Sequence, residues 1–242
     1  MPASSRPSRV ALVADAHLGG YGGAADRLIA QLERLPEEGC GRLVLLGDIF
    51  HVWVGARQFE TPEIRRVHRV LEELAAAGIR LDYVEGNRDF FLADSPYAEP
   101  FETISTEVAI ESDGRRYLAV HGDGIDRSDR QYLFWRWLSK SALSRFLILH
   151  LPASIADWAL HRTEASLART NFEYRQQIPQ EAIRRFAESE LERGFDEILL
   201  GHYHAARTWR VDGGTVRILD AWFDSHRIEW LDQIGAGRGR GR

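Results

Sequence analysis

Cysteine, methionine and lysine are almost absent: 242 residues contain one Cys, one Met and, at Lys140, one Lys. The single Cys40, set between Gly39 and Gly41, excludes an internal disulfide and fits a reducing, cytoplasmic setting. With so little lysine, anion contacts must come mostly from arginine. Long apolar runs are missing as well. No segment reaches the roughly 18 uncharged apolar residues that a membrane span needs. The longest candidate, between Tyr132 and Leu151, is interrupted by Arg136, Lys140 and Arg145. Residues 1–9 lack the apolar centre of a signal peptide and are expected to be disordered, as is the Gly/Arg-rich tail 234–242. Nor is there an excess of positive charge: the net charge of −5 speaks against a general nucleic-acid binder.

The charge that is present is unevenly spread. Residues 131–185 carry a net +4, which leaves −9 on the rest. A basic insertion on an acidic body points to an anionic ligand or a membrane surface; a solvated helical face is the plainer alternative.

The first half alternates strand and helix. Val10–Ala14 is a continuous apolar run, as a strand buried on both faces requires. A helix follows near 24–35, then a second buried strand at 43–46. Thr61-Pro62 supplies an N-cap and a first-turn proline for a helix that stops at Gly78. A third strand spans 81–85. After residue 100, two short strands flank Asp113-Gly114, a hairpin signal. Residues 129–175 read as helical and aromatic, with Phe134, Trp135, Trp137 and Trp158. A helix at 180–193, a strand at 197–200 and a hairpin turning at 212–214 complete the pattern. Mixed sheets, one core domain (10–233) and one helical cap inserted at about 129–175 are expected, within the α/β or α+β classes.

Five of the expected strands end in hard or borderline metal donors. They give Asp15-Ala16-His17, Gly47-Asp48, Gly86-Asn87-Arg88-Asp89, His121-Gly122-Asp123 and Gly201-His202-Tyr203-His204. In open α/β sheets, ligands bind beyond the carboxyl ends of the strands. Asp, Asn and His without Cys suit Mn²⁺, Fe²⁺, Co²⁺ or Zn²⁺. The set is too large for one ion and suits two ions about 4 Å apart that share a carboxylate. A lone strand-end His is more often a hydrogen-bonded structural residue; it is the ordered set, each member after an apolar run, that points to metal.

These motifs, in this order, resemble the calcineurin-like metallophosphoesterase superfamily. The resemblance implies an α+β fold, an α/β/β/α sandwich of two mixed sheets flanked by helices. It implies that Asp15, His17, Asp48 and His204 hold one ion, and that Asp48, Asn87, His121 and His202 hold the second, with Asp48 bridging. Many members carry a proton-donating His where this chain has Arg88. Arginine cannot act as a general acid, but it can bind phosphate bidentately. A phosphate-monoester leaving group, with its second pKa of about 6, departs without a proton, whereas an alkoxide does not. Pyrophosphate cleavage is therefore expected over hydrolysis of simple alkyl phosphate esters.

The Gly-Asn-Arg-Asp-Phe string and the segment 121–132 are similar to those of the UDP-2,3-diacylglucosamine hydrolases of lipid A synthesis. That similarity implies an acylated nucleotide-sugar substrate, attack by a metal-bridging hydroxide, a lid whose apolar groove holds acyl chains, and peripheral contact with the inner face of the cytoplasmic membrane. It assigns Asn87, Arg88 and His202 to catalysis. Together with Asp129, Tyr132, Arg169, Asn171 and Arg175, these residues would also contact the substrate. Mn²⁺ is the expected ion, and no nucleic acid or obligate protein partner is expected. Three positions depart from the family pattern: Tyr203 replaces a Thr, His51 replaces an acidic residue, and the lid offers arginines where lysines are usual. His68, His150, His161 and His226 belong to no motif and read as structural or exposed. Action on another nucleotide substrate, and a non-catalytic scaffold on the same fold, remain as alternatives.

Overall fold

The structure is a computed structural model that describes residues 9–19, 24–152, 155 and 178–236, the side chains of 234–236 excepted. Strand β1 (Arg9–Val13) lies between β12 (Glu229–Trp230), which runs antiparallel to it, and β2 (Cys40–Leu45), which runs parallel. β4 (Arg80–Val84) and β6 (Thr103–Ser105) extend this sheet in parallel to the order β12-β1-β2-β4-β6. The second sheet runs β10-β11-β9-β8-β7. Its centre is parallel: β8 (Arg115–Val120), β9 (Glu197–Leu200) and β11 (Gly214–Ile218). Its edges, β7 (Glu107–Ser112) and β10 (Arg207–Val211), are antiparallel. A two-stranded ribbon pairs β3 (Trp53–Val54) with β5 (Asp89–Phe90).

The period of two along each strand builds the layers. Val10, Leu12, Ala14, Val44 and Leu46 from the first sheet meet Val108, Ile110, Ala119 and Leu199 from the second, forming the middle of the sandwich. The alternate residues Ala11, Val13, Leu43 and Leu45 pack against Leu28 and Leu32 of α1 (Ala24–Leu32) and Ile64, Val67 and Leu71 of α2 (Pro62–Ala76). On the far side, Leu118, Ile198, Leu200 and Val216 pack against Ile183, Ala187 and Leu191. The last three come from the helix Gln180–Glu192. This is the expected α/β/β/α sandwich.

Local signals act as their chemistry requires. The Thr61 hydroxyl accepts from the Ile64 amide at 3.3 Å, and Pro62 opens α2. Asp113 and Gly114 both take positive φ, 51° and 72°, as a two-residue hairpin loop demands. The second hairpin is one residue tighter than expected, because Gly214 already pairs with Val211. The strand β6, the two-residue strands β3, β5 and β12, and the single-turn helix Trp222–Ser225 are additions to the sequence reading.

The cap begins as two helices, α3 (Arg130–Ser139) and α4 (Ala142–Leu149). α4 is anchored through Ile148, which with Leu151 packs on Val52, Val54, Ala56 and Phe59. Gln58 donates from its amide to the carbonyls of Ile148 and Leu149. α3 buries no side chain. Trp158, His161, Arg169, Asn171 and Arg175 lie outside the described residues.

Candidate metal centre

Parallel strands place the donors together. β1, β2 and β4 of one sheet and β8 and β9 of the other each end at the same rim. Beyond the strands the ladder continues, with Asp15 N donating to Gly47 O at 3.2 Å and His17 N to Asp48 O at 3.0 Å. The second sheet ties in the same way, through Gly201 N to His121 O at 3.0 Å. The two sheets are then joined across the sandwich: His202 N donates to Asp15 Oδ2 at 2.8 Å, and the His121 ring meets Leu46 O through Nδ1 at 2.8 Å. That bond assigns the proton of His121 to Nδ1 and turns Nε2 towards the centre.

The backbone at the donors is left-handed. Asp15, His17, Asp48, His202 and His204 have φ of 50°, 45°, 52°, 64° and 49°. Few non-glycine residues adopt this region, and each instance costs about 1 kcal/mol or more. Such a cluster persists only where the surrounding structure enforces it, and here it aims side chains at one point.

Two donor groups result. In the first, His17 Nε2 and His204 Nε2 face each other at 3.2 Å, and His204 Nε2 lies 3.2 Å from Asp15 Oδ1. In the second, His121 Nε2 stands 3.2 Å from Asn87 Oδ1 and 3.6 Å from Asp48 Oδ1. Donor atoms of Asp15, His17 and His204 all lie within 4.8 Å of one another, as do those of Asp15, Asp48 and His121. Asp15 is therefore the carboxylate common to both groups, and Asp48 belongs to the second. His202 is in neither; its ring lies edge-on to His121, centroids 5.2 Å apart.

These residues fit divalent ions. His17 Nδ1 is buried with no hydrogen-bond partner among the described residues, and His17 Nε2 points at another imidazole nitrogen. Imidazole nitrogens and carboxylate oxygens packed this closely form a cradle for cations. The electrostatics agree. Burial pushes the Asp15 carboxyl up, but the imidazoles of His204, His121 and His17 hold it well below the usual carboxylate range. Burial raises Asp48, with His121 opposing. Burial alone would depress His121, yet Asp48 and Asp15 carry it up to about 9, a proton standing where cationic charge is wanted. Burial and the His121 charge lower His202 to about 4, so that ring is neutral near pH 7.

Three supporting residues were not singled out by the sequence reading. Asp89 Oδ2 accepts from Asp48 N at 3.0 Å and Gly86 N at 2.7 Å, clamping two donor loops; its place in the Gly-Asn-Arg-Asp string was the available signal. Asp123 is buried beneath the cap. Phe223 packs its ring against His17 and His204 at 5.4 and 5.0 Å, and nothing in its local sequence marks it.

Arg88 is buried, with Nε 3.4 Å from Asp48 Oδ2 and its guanidinium donating to His51 O at 3.3 Å. It thus lies against Asp48 and His51. His51 in turn sits 6.2 Å from His17, ring to ring. Asp129 caps α3 by accepting from Tyr132 N at 2.8 Å, and Tyr132 Oη donates to Asp123 at 2.8 Å. Tyr203 Oη donates to Gly122 O at 3.0 Å, tying the two histidine loops. Tyr203→Phe should cost about 1 kcal/mol in denaturant unfolding of the metal-free protein while keeping metal stoichiometry; loss of an ion would give Tyr203 a larger role.

No protein-family model matches the chain. A UDP-2,3-diacylglucosamine hydrolase of Ralstonia nicotianae is 29% identical over 232 residues, covering 90% of this chain and 85% of that protein. One of Xanthomonas oryzae pv. oryzae is 26% identical over 238 residues, covering 92% of this chain and 95% of its own length. Among solved structures, a protein of unknown function from Aquifex aeolicus superposes with a TM-score of 0.50 at 14% identity, covering 95% of this chain and 98% of its own; that likeness concerns the fold alone. With its sandwich fold and strand-end donors for divalent metal, the chain resembles the calcineurin-like metallophosphoesterases, and it is similar over nearly its whole length to the UDP-2,3-diacylglucosamine hydrolases.

Proposed function

We propose that the chain hydrolyses the pyrophosphate of UDP-2,3-diacylglucosamine to UMP and 2,3-diacylglucosamine 1-phosphate, with two divalent ions, preferably Mn²⁺. The observation that carries this reading is the pair of donor groups meeting at Asp15, with Arg88 beside them where a proton donor could have stood. The names of the curated relatives support the substrate.

Asp15, His17 and His204 would hold one ion, and Asp48, Asn87 and His121 the other. His202 joins them as a further ligand or as a contact to the phosphoryl oxygens. When bound, such ions supply hydroxide at neutral pH and clamp phosphoryl oxygens. The chain's own residues do the rest. Asn87 presents an amide to the reacting phosphate. Arg88 contributes a permanent charge next to Asp48. The scissile P–O bond breaks as the new one forms, and the phosphate-monoester anion leaves without a proton, so no general acid is required. Asp129, Tyr132, Arg169, Asn171 and Arg175 are proposed to contact the head group.

We place the enzyme in one domain, 10–233, with a lid at about 129–175. Phe134, Trp135, Trp137, Leu143, Phe146 and Leu147 are more than half exposed on α3 and α4. Such a face suits acyl chains and peripheral contact with the inner membrane surface.

Comparing the acylated UDP-sugar with soluble UDP-N-acetylglucosamine tests the reading. Binding energy from the acyl chains should raise kcat/KM by about 100-fold or more for the acylated substrate. Equal rates would favour another nucleotide substrate and leave the lid as packing.

A further inference from the structure

α3 meets the metal rim through one stripe. Tyr132, Arg136 and Lys140 are spaced four residues apart and so share a face of the helix. Tyr132 Oη donates to Asp123 Oδ2 at 2.8 Å, and Arg136 Nε donates to the same oxygen. The ammonium of Lys140, the only lysine in the chain, donates to the Gly86 carbonyl at 2.9 Å. Asp123 stands two residues beyond His121, and Gly86 immediately precedes Asn87. All three contacts therefore end on the two loops that bring His121 and Asn87 to 3.2 Å of each other.

Core packing does little to hold α3 in place: none of its side chains is fully buried, Leu133 and Leu138 are half-buried, and Phe134, Trp135 and Trp137 are 53%, 58% and 66% exposed. Charge-assisted hydrogen bonds do so instead. Asp123 is buried and receives two of them on one oxygen, Oδ2, from Tyr132 Oη and Arg136 Nε.

We propose that α3 is a strut, and that Lys140 and Arg136 are positioning residues that fix the spacing of Asn87 and His121. Docking of the helix and loading of the ion at that half of the centre are then coupled. The inference rests on the metal reading above. Coupling is reciprocal: an ion that favours the docked loops stabilises the helix, and the docked helix raises affinity for that ion.

The test compares wild type, Lys140→Met and Lys140→Arg by Mn²⁺ titration calorimetry and by amide hydrogen exchange with and without Mn²⁺. In Lys140→Met, one of the two ions should bind about tenfold more weakly, as is usual when a partner behind a metal ligand is lost. The other ion should bind as in wild type. Exchange of the α3 amides and of residues 86–88 should quicken in the metal-free variant, and Lys140→Arg should recover most of both effects. Unchanged exchange in metal-free Lys140→Met overturns the strut, whether or not metal binds. So does equal weakening of both ions without rescue by arginine, which would mark general destabilisation. A wild-type protein that binds no ion would instead contradict the metal reading.

Discussion

Asp48→Asn should lower turnover by about a thousandfold or more, the scale on which a reaction loses a preorganised charge at its centre. Asp48 is fully buried. Its Oδ1 accepts from Arg88 N at 3.0 Å and stands 3.6 Å from His121 Nε2, while Oδ2 lies 3.4 Å from Arg88 Nε. Asparagine keeps the shape and the Oδ1 acceptor, so the loop should fold as before. What is lost is the negative charge in the second donor group. Metal analysis should show that ion depleted while the group formed by Asp15, His17 and His204 keeps its own. Steady-state assays with saturating Mn²⁺ check the rate, and circular dichroism checks the fold. Wild-type-like activity would show that Asp48 is not a ligand.

Gly86→Ala should be nearly as damaging although it removes no functional group. A Cβ on Gly86 would stand 2.3 Å from Asp48 Oδ1 and 3.0 Å from Asp48 N. Relief requires that the 86–89 loop or the Asp48 carboxylate move, and both carry donors. Displacements of about 1 Å at a reacting centre cost about 100-fold, and a loss of that order in kcat/KM is expected. Gly78→Ala is the control. Gly78 has φ of 87° and nothing within 4 Å of an added Cβ. It should lose about 1 kcal/mol of stability from left-handed strain and keep full activity. Equal activity in the two variants would show that the rim is more pliable than its contacts indicate.

Much of this centre was legible in the sequence because ligand chemistry and strand chemistry coincide there. The runs at Val10–Ala14 and Leu43–Leu46 are apolar throughout because both strand faces are buried. The donors follow directly, so reading the strands also located the site. The glycines beside the donors were legible for the same reason, since Gly47 and Gly86 lie where another backbone or a ligand passes closely.

What escaped was set by partners distant in sequence. β12 has two residues and exists because Ala11 pairs with Trp230; no local pattern announces a strand so short. The left-handed backbone at Asp15, His17 and Asp48 is imposed by the hydrogen bonds between their loops. The orientation of Arg88 is likewise tertiary. Its guanidinium reaches Asp48 Oδ2 and His51 O, neighbours that no local pattern announces. Tyr132 and Asp129 illustrate the same limit, since the bonds by which they hold α3 form only once the helix and Asp123 are in place.

The proposed activity is a metal-dependent pyrophosphate hydrolysis with two ions at this rim. It is tested most directly by adding Mn²⁺ stepwise to the metal-stripped protein and measuring UMP released from the proposed acylated UDP-sugar. No UMP is expected without metal, and the rate should saturate at two ions per chain, with both equivalents lost in the Asp15→Asn variant. UMP released at full rate by the stripped protein, or none at any metal concentration, would contradict it.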